Sequence, residues 1–377
     1  MGAARGVGRA NGVKQMSEPV SSNQVQANVS ATMADVDQVR DAAKRLREEI
    51  HRTIVGQDDV VDQTLMAIFC RGHAVVVGVP GLAKTLLIST LAKTLSLQFS
   101  RIQFTPDLMP SDITGTEVIQ EDKATGHRQL RFVRGPIFGN VILADEINRT
   151  PPKTQAALLE AMQERHVTVG GIQHDLPNPF FVLATQNPIE QEGTYPLPEA
   201  QLDRFMFQIQ ISYPTLNEEE EIVKRSVTRA SVQTQAVLSA VDIKKIQDLV
   251  RAMPVPDHVI KYALRLVRAT RVKEPFDGGG KRPKLVEAYL AWGAGPRASE
   301  FLILAAKARA MLTGSTHVTP EHVRHIVKPV LRHRLMTNFN AEADQVTTDA
   351  IIDNLMKEIP VDGATELERK QMNEVLR

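Results

Sequence analysis

A glycine-rich segment that ends in lysine and threonine carries the clearest chemistry in this sequence. It runs Gly78-Val79-Pro80-Gly81-Leu82-Ala83-Lys84-Thr85, between an apolar run and a helical pattern. The backbone N–H groups of such a loop can surround an anion, and the positive end of the following helix adds to the attraction. Lys84 would reach the β and γ phosphates of a nucleotide, and Thr85 would bind Mg²⁺. We therefore predict a phosphate-binding loop that tolerates Ala83 in place of the usual second glycine.

Two adjacent carboxylates follow the third apolar run of the chain, residues 141–144. They belong to Asp145 and Glu146. In an open α/β sheet, ligands bind beyond the carboxyl ends of the strands, where these side chains would lie. We expect Asp145 to orient Mg²⁺ through water and Glu146 to accept a proton from the water that attacks the γ-phosphate. Paired acids at a strand end are common by chance, so this prediction depends on the phosphate loop of the same sheet.

Three further polar residues are candidates for the same chemistry, and each has a plainer alternative. Asn187, after the fourth apolar run, could orient the attacking water, or it could only form an Asn-Pro turn. Arg204 precedes the fifth run and could stabilise transition-state charge in a neighbouring subunit, or it could pair locally with Asp203. Arg297 follows a proline expected at a helix start. A cation there opposes the helix dipole unless an anion such as a nucleotide phosphate is near, and the alternative is an ordinary surface arginine.

Five short apolar runs rich in β-branched residues must position these side chains. They cover residues 74–77, 99–104, 141–144, 180–184 and 207–211. Helical patterns separate the runs, which predicts one buried parallel sheet between layers of helices. Two stretches within this region predict β-hairpins instead: residues 117–133, with a turn at 121–126, and residues 166–174, with a turn at Gly170 and Gly171.

The remainder of the chain predicts a second, all-helical domain. A capping box at Thr215 and Glu218 begins its first helix. Later helical patterns cover residues 241–252, 257–272, 296–312 and 320–331. We expect a mobile loop over residues 276–284. The predicted domains are a disordered tail at 1–34, an α/β core at 35–213, and a linker with a helical lid at 214–377.

Composition excludes several classes of protein. The 377 residues include 45 Lys and Arg against 44 Asp and Glu, so a net charge of +1 leaves no general attraction for nucleic acid. The single cysteine, Cys70, cannot form an intramolecular disulfide and suits a reducing compartment. His322, His325 and His333 fit no metal-ligand spacing, and we expect them on a helix surface. With no bilayer-spanning run and no secretory signal, we expect a cytoplasmic protein without membrane insertion.

Together these motifs resemble the MoxR family of the AAA+ ATPases. The phosphate loop contributes to the resemblance, including its alanine before the lysine. So do residues 143–152, which run Leu-Ala-Asp-Glu-Ile-Asn-Arg-Thr-Pro-Pro, and residues 184–188, which run Ala-Thr-Gln-Asn-Pro. Residues 195–205 add Tyr-Pro-Leu-Pro-Glu-Ala-Gln-Leu-Asp-Arg-Phe. Several long motifs in the same order make the resemblance specific from about Val36 onward.

The resemblance implies a P-loop nucleotide-binding core with a five-stranded parallel sheet, hairpin inserts and a helical lid. It also implies a homo-oligomeric ring, commonly a hexamer, with ATP at the subunit interfaces. Asn187 matches the family's first sensor, Arg204 its arginine finger and Arg297 its second sensor, and Arg149 is a further candidate for action in trans. Thr85 and Asp145 match the metal-binding positions. The residues expected to contact ATP are Val55, Gly56, Gln57, Gly78, Pro80, Gly81, Leu82, Ala83, Lys84, Thr85, Leu86 and Asp145.

MoxR-like ATPases are similar to remodelling chaperones. The resemblance implies Mg²⁺-dependent hydrolysis of ATP to ADP and phosphate, used to activate client proteins, often by metal or cofactor insertion and often with a partner that has a von Willebrand factor A domain. Two alternatives stay open, a nucleic-acid-dependent motor and a chelatase-like ATPase subunit. Arg128 and Arg131 lie on the longer hairpin, but the shorter one offers His166 and His174 and no lysine. The sequence therefore favours protein remodelling.

Overall fold

The computed structural model describes residues 32–121, 128–189, 193–227, 233–276 and 281–361. Its helices are α1 (Met33–His51), α2 (Asp58–Phe69), α3 (Lys84–Thr94), α4 (Pro110–Thr114), α5 (Pro152–Glu164), α6 (Glu199–Leu202), α7 (Leu216–Val227), α8 (Ala240–Ala252), α9 (Asp257–Ala269), α10 (Lys284–Tyr289), α11 (Pro296–Thr313), α12 (Pro320–Leu331), α13 (Phe339–Ala343) and α14 (Thr348–Glu358). Its strands are β1 (Ala74–Val77), β2 (Phe99–Gln103), β3 (Gly115–Glu121), β4 (Arg128–Arg134), β5 (Val141–Asp145), β6 (His166–Val169), β7 (Ile172–Asp175), β8 (Phe181–Gln186), β9 (Phe207–Gln210), β10 (Leu290–Trp292) and β11 (Met336–Thr337). Within these ranges, no helix combines the length and the apolar character that a membrane span requires.

The five predicted strands form one parallel sheet with the order β2-β5-β8-β1-β9. Every neighbouring pair in this sheet is parallel, and Val75 lies opposite Ala184 on one side and Gln208 on the other. Parallel neighbours need crossover connections, which here pass over the faces of the sheet. All five carboxyl ends therefore lie along one edge, and this confirms the predicted α/β core.

Both faces of the sheet are buried, because successive side chains of a strand point in opposite directions. Val75, Ile142 and Val182 belong to one apolar cluster, which includes residues of α5. On the other face, Val76 and Leu143 belong to a second cluster that continues through α1, α2 and α3 into the C-terminal helices. The continuous apolar runs of the sequence reflect this burial on two sides.

Both predicted β-hairpins are present. The strands β3 and β4 pair antiparallel, with Ile119 opposite Leu130, and β6 and β7 pair with Val169 opposite Ile172. Gly170 and Gly171 have φ angles of 57° and 79°, which is the left-handed backbone that a two-residue hairpin turn requires. Of the turn expected at residues 121–126, only Glu121 lies among the described residues.

The C-terminal region contains the predicted helices, and the capping box before α7 is confirmed. The Glu218 carboxylate accepts hydrogen bonds from the Thr215 backbone N–H and hydroxyl, each 2.7 Å long. The expectation of a purely helical domain needs one correction, because β10 and β11 form a short antiparallel ladder with Trp292 opposite Met336. Strands of three and two residues are too short to show a period-two pattern in the sequence. Trp292 is 56% exposed, and the Lys273 ammonium lies 4.7 Å from the centre of its indole ring.

Two segments that the sequence assigned to a tail and a loop contain ordered elements. Helix α1 begins at Met33, and Thr32 caps it by accepting a hydrogen bond from the Asp35 N–H, so the predicted tail at 1–34 extends too far. Residues 1–31 lie outside the described part of the chain.

In the expected loop at 276–284, residues 277–280 also lie outside the described residues, and Lys284 already begins α10. The Arg282 guanidinium donates hydrogen bonds to the carbonyl groups of Ala269, Arg271, Val272 and Glu274.

A buried arginine joins the helical region to the sheet. The Arg334 side chain is 1% exposed, and its Nε lies 2.7 Å from Asp203 Oδ1. Its remaining N–H groups donate to the backbone carbonyls of Asp203, Phe205, Met206 and Val330. Burial lowers the pKa of Arg334 to about 10, and the Asp203 carboxylate opposes that shift, so the guanidinium stays charged at neutral pH.

The neighbouring His333 is also buried at this joint. It is 7% exposed, and its Nε2 lies 3.0 Å from the Phe205 carbonyl oxygen. The expectation of a surface position is therefore wrong for His333. Burial lowers the pKa of His333 well below the ordinary value, and the Arg334 charge lowers it further, so His333 is neutral at physiological pH.

Replacing Arg334 by Met keeps much of the side-chain volume but leaves the Asp203 carboxylate and several carbonyl groups without this donor. We expect Arg334→Met to lower the free energy of unfolding by about 3–5 kcal/mol. Urea denaturation followed by circular dichroism measures the change. As a control, Arg128→Met removes an arginine whose side chain is 73% exposed, and its effect should stay within about 0.5 kcal/mol. A loss below about 1 kcal/mol for Arg334→Met would contradict the structural role of this residue.

Candidate nucleotide-binding site

The phosphate loop lies between β1 and α3, at the carboxyl edge of the sheet. Gly81 has a φ angle of 87°, and a side chain built there would meet nothing within 4 Å. The loop therefore presents bare backbone to open space at this position, as close approach of an anion requires. At Gly78 the reason is packing instead, because a Cβ would lie 3.0 Å from the Ile211 carbonyl oxygen. The two glycines are therefore required for different reasons, anion approach at Gly81 and packing at Gly78.

Ala83 has a left-handed backbone with φ at 53° and directly precedes α3. This conformation favours glycine, which explains why the usual motif has glycine here. Lys84, the first residue of α3, donates a hydrogen bond of 2.7 Å from Nζ to the Gly78 carbonyl oxygen. Partial burial lowers the pKa of Lys84, while Asp145 and Glu146 oppose the shift, so the ammonium lies within the field of both acids.

Residues 55–57, which the resemblance places among the ATP contacts, pack onto the phosphate loop. Gly56 and Gln57 both have positive φ angles, 64° and 60°. The Gln57 side-chain Nε2 donates to the Leu82 carbonyl oxygen at 3.3 Å. A Cβ on Gly56 would lie 2.0 Å from a carboxylate oxygen of Glu218, so this glycine permits α7 to approach. Val55 is half-buried in the same segment.

Thr85 and Leu86 follow Lys84 in the first turn of α3, beside the phosphate loop. Thr85 is half-buried, whereas Leu86 is 47% exposed. An exposed leucine next to this loop is available for contact with a ligand. Both residues therefore lie beside the phosphate loop, and their contact with a nucleotide stays a prediction.

Asp145 ends β5 and Glu146 follows it, at the same edge of the sheet as the phosphate loop. Asp145 is 9% exposed, and its Oδ1 accepts a hydrogen bond of 2.7 Å from the Thr185 hydroxyl on the neighbouring strand β8. The Thr185 hydroxyl oxygen also accepts from the Glu146 backbone N–H at 2.8 Å. Glu146 has a φ angle of 57°, so the chain turns sharply there and the two carboxylates take different directions.

Three residues that the sequence reasoning did not assign to these acids hold them in place. Arg101 of β2 donates to Asp145 Oδ2 from Nη2 at 2.6 Å and from Nε at 3.1 Å. Gln103, two residues further along β2, donates from Nε2 to Glu146 Oε2 at 2.9 Å. Arg149 donates to the same oxygen at 3.2 Å. Arg149, expected as a candidate for action in trans, therefore contacts Glu146 of its own chain.

Asn187 follows β8 at the same edge and is 6% exposed. Its Oδ1 accepts a hydrogen bond of 3.2 Å from the Ile189 backbone N–H, which is an Asx turn of the kind that the sequence offered as the alternative. The two interpretations do not exclude each other, because this hydrogen bond leaves the side-chain NH₂ group as a donor. Asn187 follows β8, the strand next to β5, and its role in orienting the attacking water stays a prediction.

Arg204 and Arg297 lie together at the opposite edge of the sheet. They line a cavity of about 330 Å³ with residues that include His73, which directly precedes β1, and Arg71 and Arg165. The phosphate loop follows the other end of β1, and four residues at about 3.3 Å each put about 13 Å of strand between the two edges. Neither arginine joins the phosphate loop of its own chain.

The contacts of Asp203 explain how this arginine pair is held. Asp203 Oδ2 accepts a hydrogen bond of 2.9 Å from Arg297, while Oδ1 accepts from Arg334. Arg204 instead donates from Nη1 to the Leu159 carbonyl oxygen at 3.3 Å. The alternative of a local pair between Asp203 and Arg204 is therefore not what the structure has. Asp203, the residue before Arg204, instead binds Arg297 at the start of α11.

The donor set at the carboxyl edge suits a hard divalent cation. Thr85 offers a hydroxyl and Asp145 a carboxylate, and Mg²⁺ prefers such oxygen ligands, with substrate phosphates and water completing its shell. Among the described residues there is no cluster of three or more His, Cys, Asp or Glu that could hold a metal alone. The residues present thus fit a metal that arrives with a nucleotide.

Comparisons with known proteins agree with this geometry. The profile described as "ATPase family associated with various cellular activities (AAA)" matches residues 73–207, and the profile "AAA lid domain" matches residues 282–355. The fold and the matched regions define an AAA ATPase with a C-terminal lid. The chain is 43% identical over 311 residues to "Chaperone MoxR1" of Mycobacterium tuberculosis, which covers 82% of this chain and 80% of that protein. The chain belongs to the MoxR family of AAA ATPases.

Two further relatives extend the comparison. "Protein MoxR" of Methylorubrum extorquens is 30% identical over 332 residues, covering 83% of this chain and 93% of that protein. A crystal structure of a candidate ATPase from Cytophaga hutchinsonii superposes with a TM-score of 0.78 at 41% identity, and the match covers 86% of this chain and 96% of the other. The similarity therefore includes both the core and the lid.

The backbone of Ala83 gives a direct test of the loop geometry. Glycine adopts a positive φ without strain, so Ala83→Gly should keep nucleotide binding and raise the free energy of unfolding by about 1 kcal/mol. Ala83→Val places a β-branched side chain in the same conformation, and it should weaken ATP binding at least about tenfold. Thermal denaturation and equilibrium ATP binding measure the two effects. Equal ATP affinity in the valine and glycine variants would show that this φ angle does not matter for binding.

Proposed function

We propose that this chain is an ATPase of the MoxR type that assembles as a ring and completes each catalytic site between two neighbouring copies. The observation that carries this proposal is the separation of two groups within one chain. Lys84, Asp145 and Glu146 lie at the carboxyl edge of the sheet, whereas Arg204 and Arg297 lie at the amino edge. An arginine that stabilises transition-state charge must reach the nucleotide, so here a second copy would supply it.

Each residue of the site then has a role in hydrolysis. Lys84 neutralises charge on the β and γ phosphates, and Glu146 accepts the proton of the attacking water, which Asn187 orients. Thr85 and Asp145 would hold Mg²⁺, which would neutralise phosphate charge when bound. Arg204 of the neighbouring copy stabilises the charge that develops on the transferred phosphoryl group, and Arg297 senses the nucleotide beside it.

The exposed surface of the longer hairpin supports a protein client. Ile119 and Leu130 lie opposite each other on β3 and β4, and they are 70% and 67% exposed. Apolar side chains in water at adjoining positions are typical of protein-interaction surfaces. The three arginines of β4 already have partners, because Arg128 contacts Glu121, Arg131 contacts Gln120 and Arg134 lies over the Phe138 ring. These features favour a polypeptide over nucleic acid.

The names of relatives extend the proposal to chaperone activity. "Chaperone MoxR1" is so described in Mycobacterium tuberculosis, and we assign a client-remodelling role to this chain by similarity. The MoxR resemblance further implies a client that receives a metal or cofactor and a partner with a von Willebrand factor A domain. ATPase stimulation by purified client protein, set against stimulation by DNA across a salt series, separates this function from a nucleic-acid motor, since DNA binding weakens steeply with salt.

Glu146→Gln removes the proposed base but keeps the volume of the side chain. We expect ATP to bind with nearly unchanged affinity, while turnover falls at least about 10²-fold, because the amide cannot accept the proton of the attacking water. Phosphate release and equilibrium ATP binding measure the two quantities. Hydrolysis at the wild-type rate would remove Glu146 from this role.

Mixed assemblies test whether Arg204 acts in trans. Lys84→Ala should abolish ATP binding, and Arg204→Ala should abolish turnover while ATP still binds, so each variant alone is inactive. In an equimolar mixture, about one interface in four pairs an intact phosphate loop with an intact Arg204, and about a quarter of the wild-type rate should return. An inactive mixture whose two variants co-assemble would contradict the trans site. Size-exclusion chromatography of a tagged and an untagged variant establishes co-assembly.

A further inference from the structure

Arg101 of the neighbouring strand β2 forms an ion pair with Asp145, the carboxylate expected to hold the metal. Arg101 and Asp145 form an ion pair in which two guanidinium N–H groups share one oxygen, Asp145 Oδ2. The other oxygen of Asp145 is taken by the Thr185 hydroxyl. The Asp145 side chain is 12% exposed, and a carboxylate this buried needs a counter-charge. In this structure Arg101 supplies that charge.

The strand register makes Arg101 part of a longer chain of contacts. Because β2 and β5 are parallel, with Gln103 opposite Asp145, the side chains of Arg101 and Gln103 follow one face of β2 toward the two acids. Arg101 Nη2 donates to Gln103 Oε1 at 2.5 Å, and Gln103 Nε2 donates to Glu146 Oε2 at 2.9 Å. One continuous path of hydrogen bonds therefore joins Asp145 to Glu146.

The direction of these hydrogen bonds fixes the Gln103 amide. A guanidinium can only donate, so it requires the amide oxygen on its side, and an ionised carboxylate can only accept, so it requires the amide nitrogen on the other side. Both contacts select the same orientation of Gln103. If Arg101 leaves, the amide loses one of the two partners that hold it against Glu146.

We propose that Arg101 is an internal counter-cation of Asp145 that a bound divalent metal displaces, and that Gln103 passes this displacement to Glu146. The inference rests on the proposed ATPase function and assigns a positioning role to Arg101. A guanidinium and a divalent cation repel each other at the same carboxylate, so occupancy by one disfavours the other. The Arg101 side chain is 47% exposed, which gives it room to move into solvent. While Arg101 is paired with Asp145, both acids are engaged in hydrogen bonds, and displacement of Arg101 would free them together.

Metal-dependent nucleotide binding tests the competition without turnover. A radiolabelled non-hydrolysable ATP analogue is titrated at increasing Mg²⁺ against the full chain and against Arg101→Gln. Loss of the competing ion pair should lower the Mg²⁺ concentration for half-maximal binding about fivefold, while binding in EDTA stays the same. Arg101→Lys should give a smaller shift, because an ammonium can pair with Asp145 but lacks the fork that also reaches Gln103. Arg128→Gln, which removes an equal charge from an exposed ion pair, should match the wild type.

A second arm tests the relay through Gln103. Gln103→Leu removes no hydrogen bond of Asp145 itself. It should nevertheless lower the Mg²⁺ concentration for half-maximal binding about twofold, because Arg101 loses its hydrogen bond to the Gln103 amide oxygen. The double variant should show no larger shift than Arg101→Gln alone, because the two residues act in one path. Shifts that simply add would overturn the relay.

The results also separate this inference from the function on which it depends. If the wild type binds the analogue and Mg²⁺ strengthens that binding, but the Arg101 variants have an unchanged or higher midpoint, the counter-cation role is wrong and the ATPase proposal stands. If the analogue does not bind the wild type at any Mg²⁺ concentration, both proposals fall. Equal loss of binding with and without Mg²⁺ in Arg101→Gln, in a protein whose thermal unfolding matches the wild type, would show a purely structural residue and would likewise overturn the inference.

Discussion

The parallel pairing of β1, β8 and β5 is the constraint on which the candidate site depends. Because the three strands run in one direction, their carboxyl ends share one edge, and the residues that follow them must meet there. The phosphate loop follows β1, Asp145 ends β5 with Glu146 directly after it, and Asn187 follows β8. Thr185 of β8 then binds Asp145 and Glu146 together. Reversing any one of these strands would move its polar residues to the far edge of the sheet.

The parallel strands also place Arg204 and Arg297 at the amino edge of the sheet, away from the phosphate loop. Asp203 precedes Arg204 and binds both Arg297 of α11 and the buried Arg334 that follows α12. The carboxylate next to the arginine finger candidate thus binds two arginines of the lid region. Arg334 is buried, and a buried charge without a partner is costly, so its ion pair with Asp203 is expected to persist. Arg297, whose side chain is 41% exposed, extends this contact to the start of α11.

Much of the fold could be predicted from the sequence because its signals are local. Each core strand is a continuous apolar run, and Gly170 with Gly171 encodes a hairpin turn directly. The phosphate loop and the two acids could be proposed as site residues because they lie in contiguous motifs. Arg101, Gln103 and Arg334 were missed, since their partners are 43 to 131 residues distant in the chain and only strand register or lid docking brings them together. The ladder of β10 and β11 was missed for another reason, because its strands are too short to carry a pattern.

The exposed indole of Trp292 provides an optical reporter of the lid. It is the only tryptophan of the chain, so intrinsic emission excited at the red edge of protein absorption comes from this one ring. It lies on β10, four residues before α11 begins and close in sequence to Arg297, with the Lys273 ammonium over its face. Changes in its hydration or in that cation contact alter the wavelength and the intensity of emission. Rearrangement of the lid during a reaction cycle can thus be followed in the unmodified protein, without a dye and without an added cysteine.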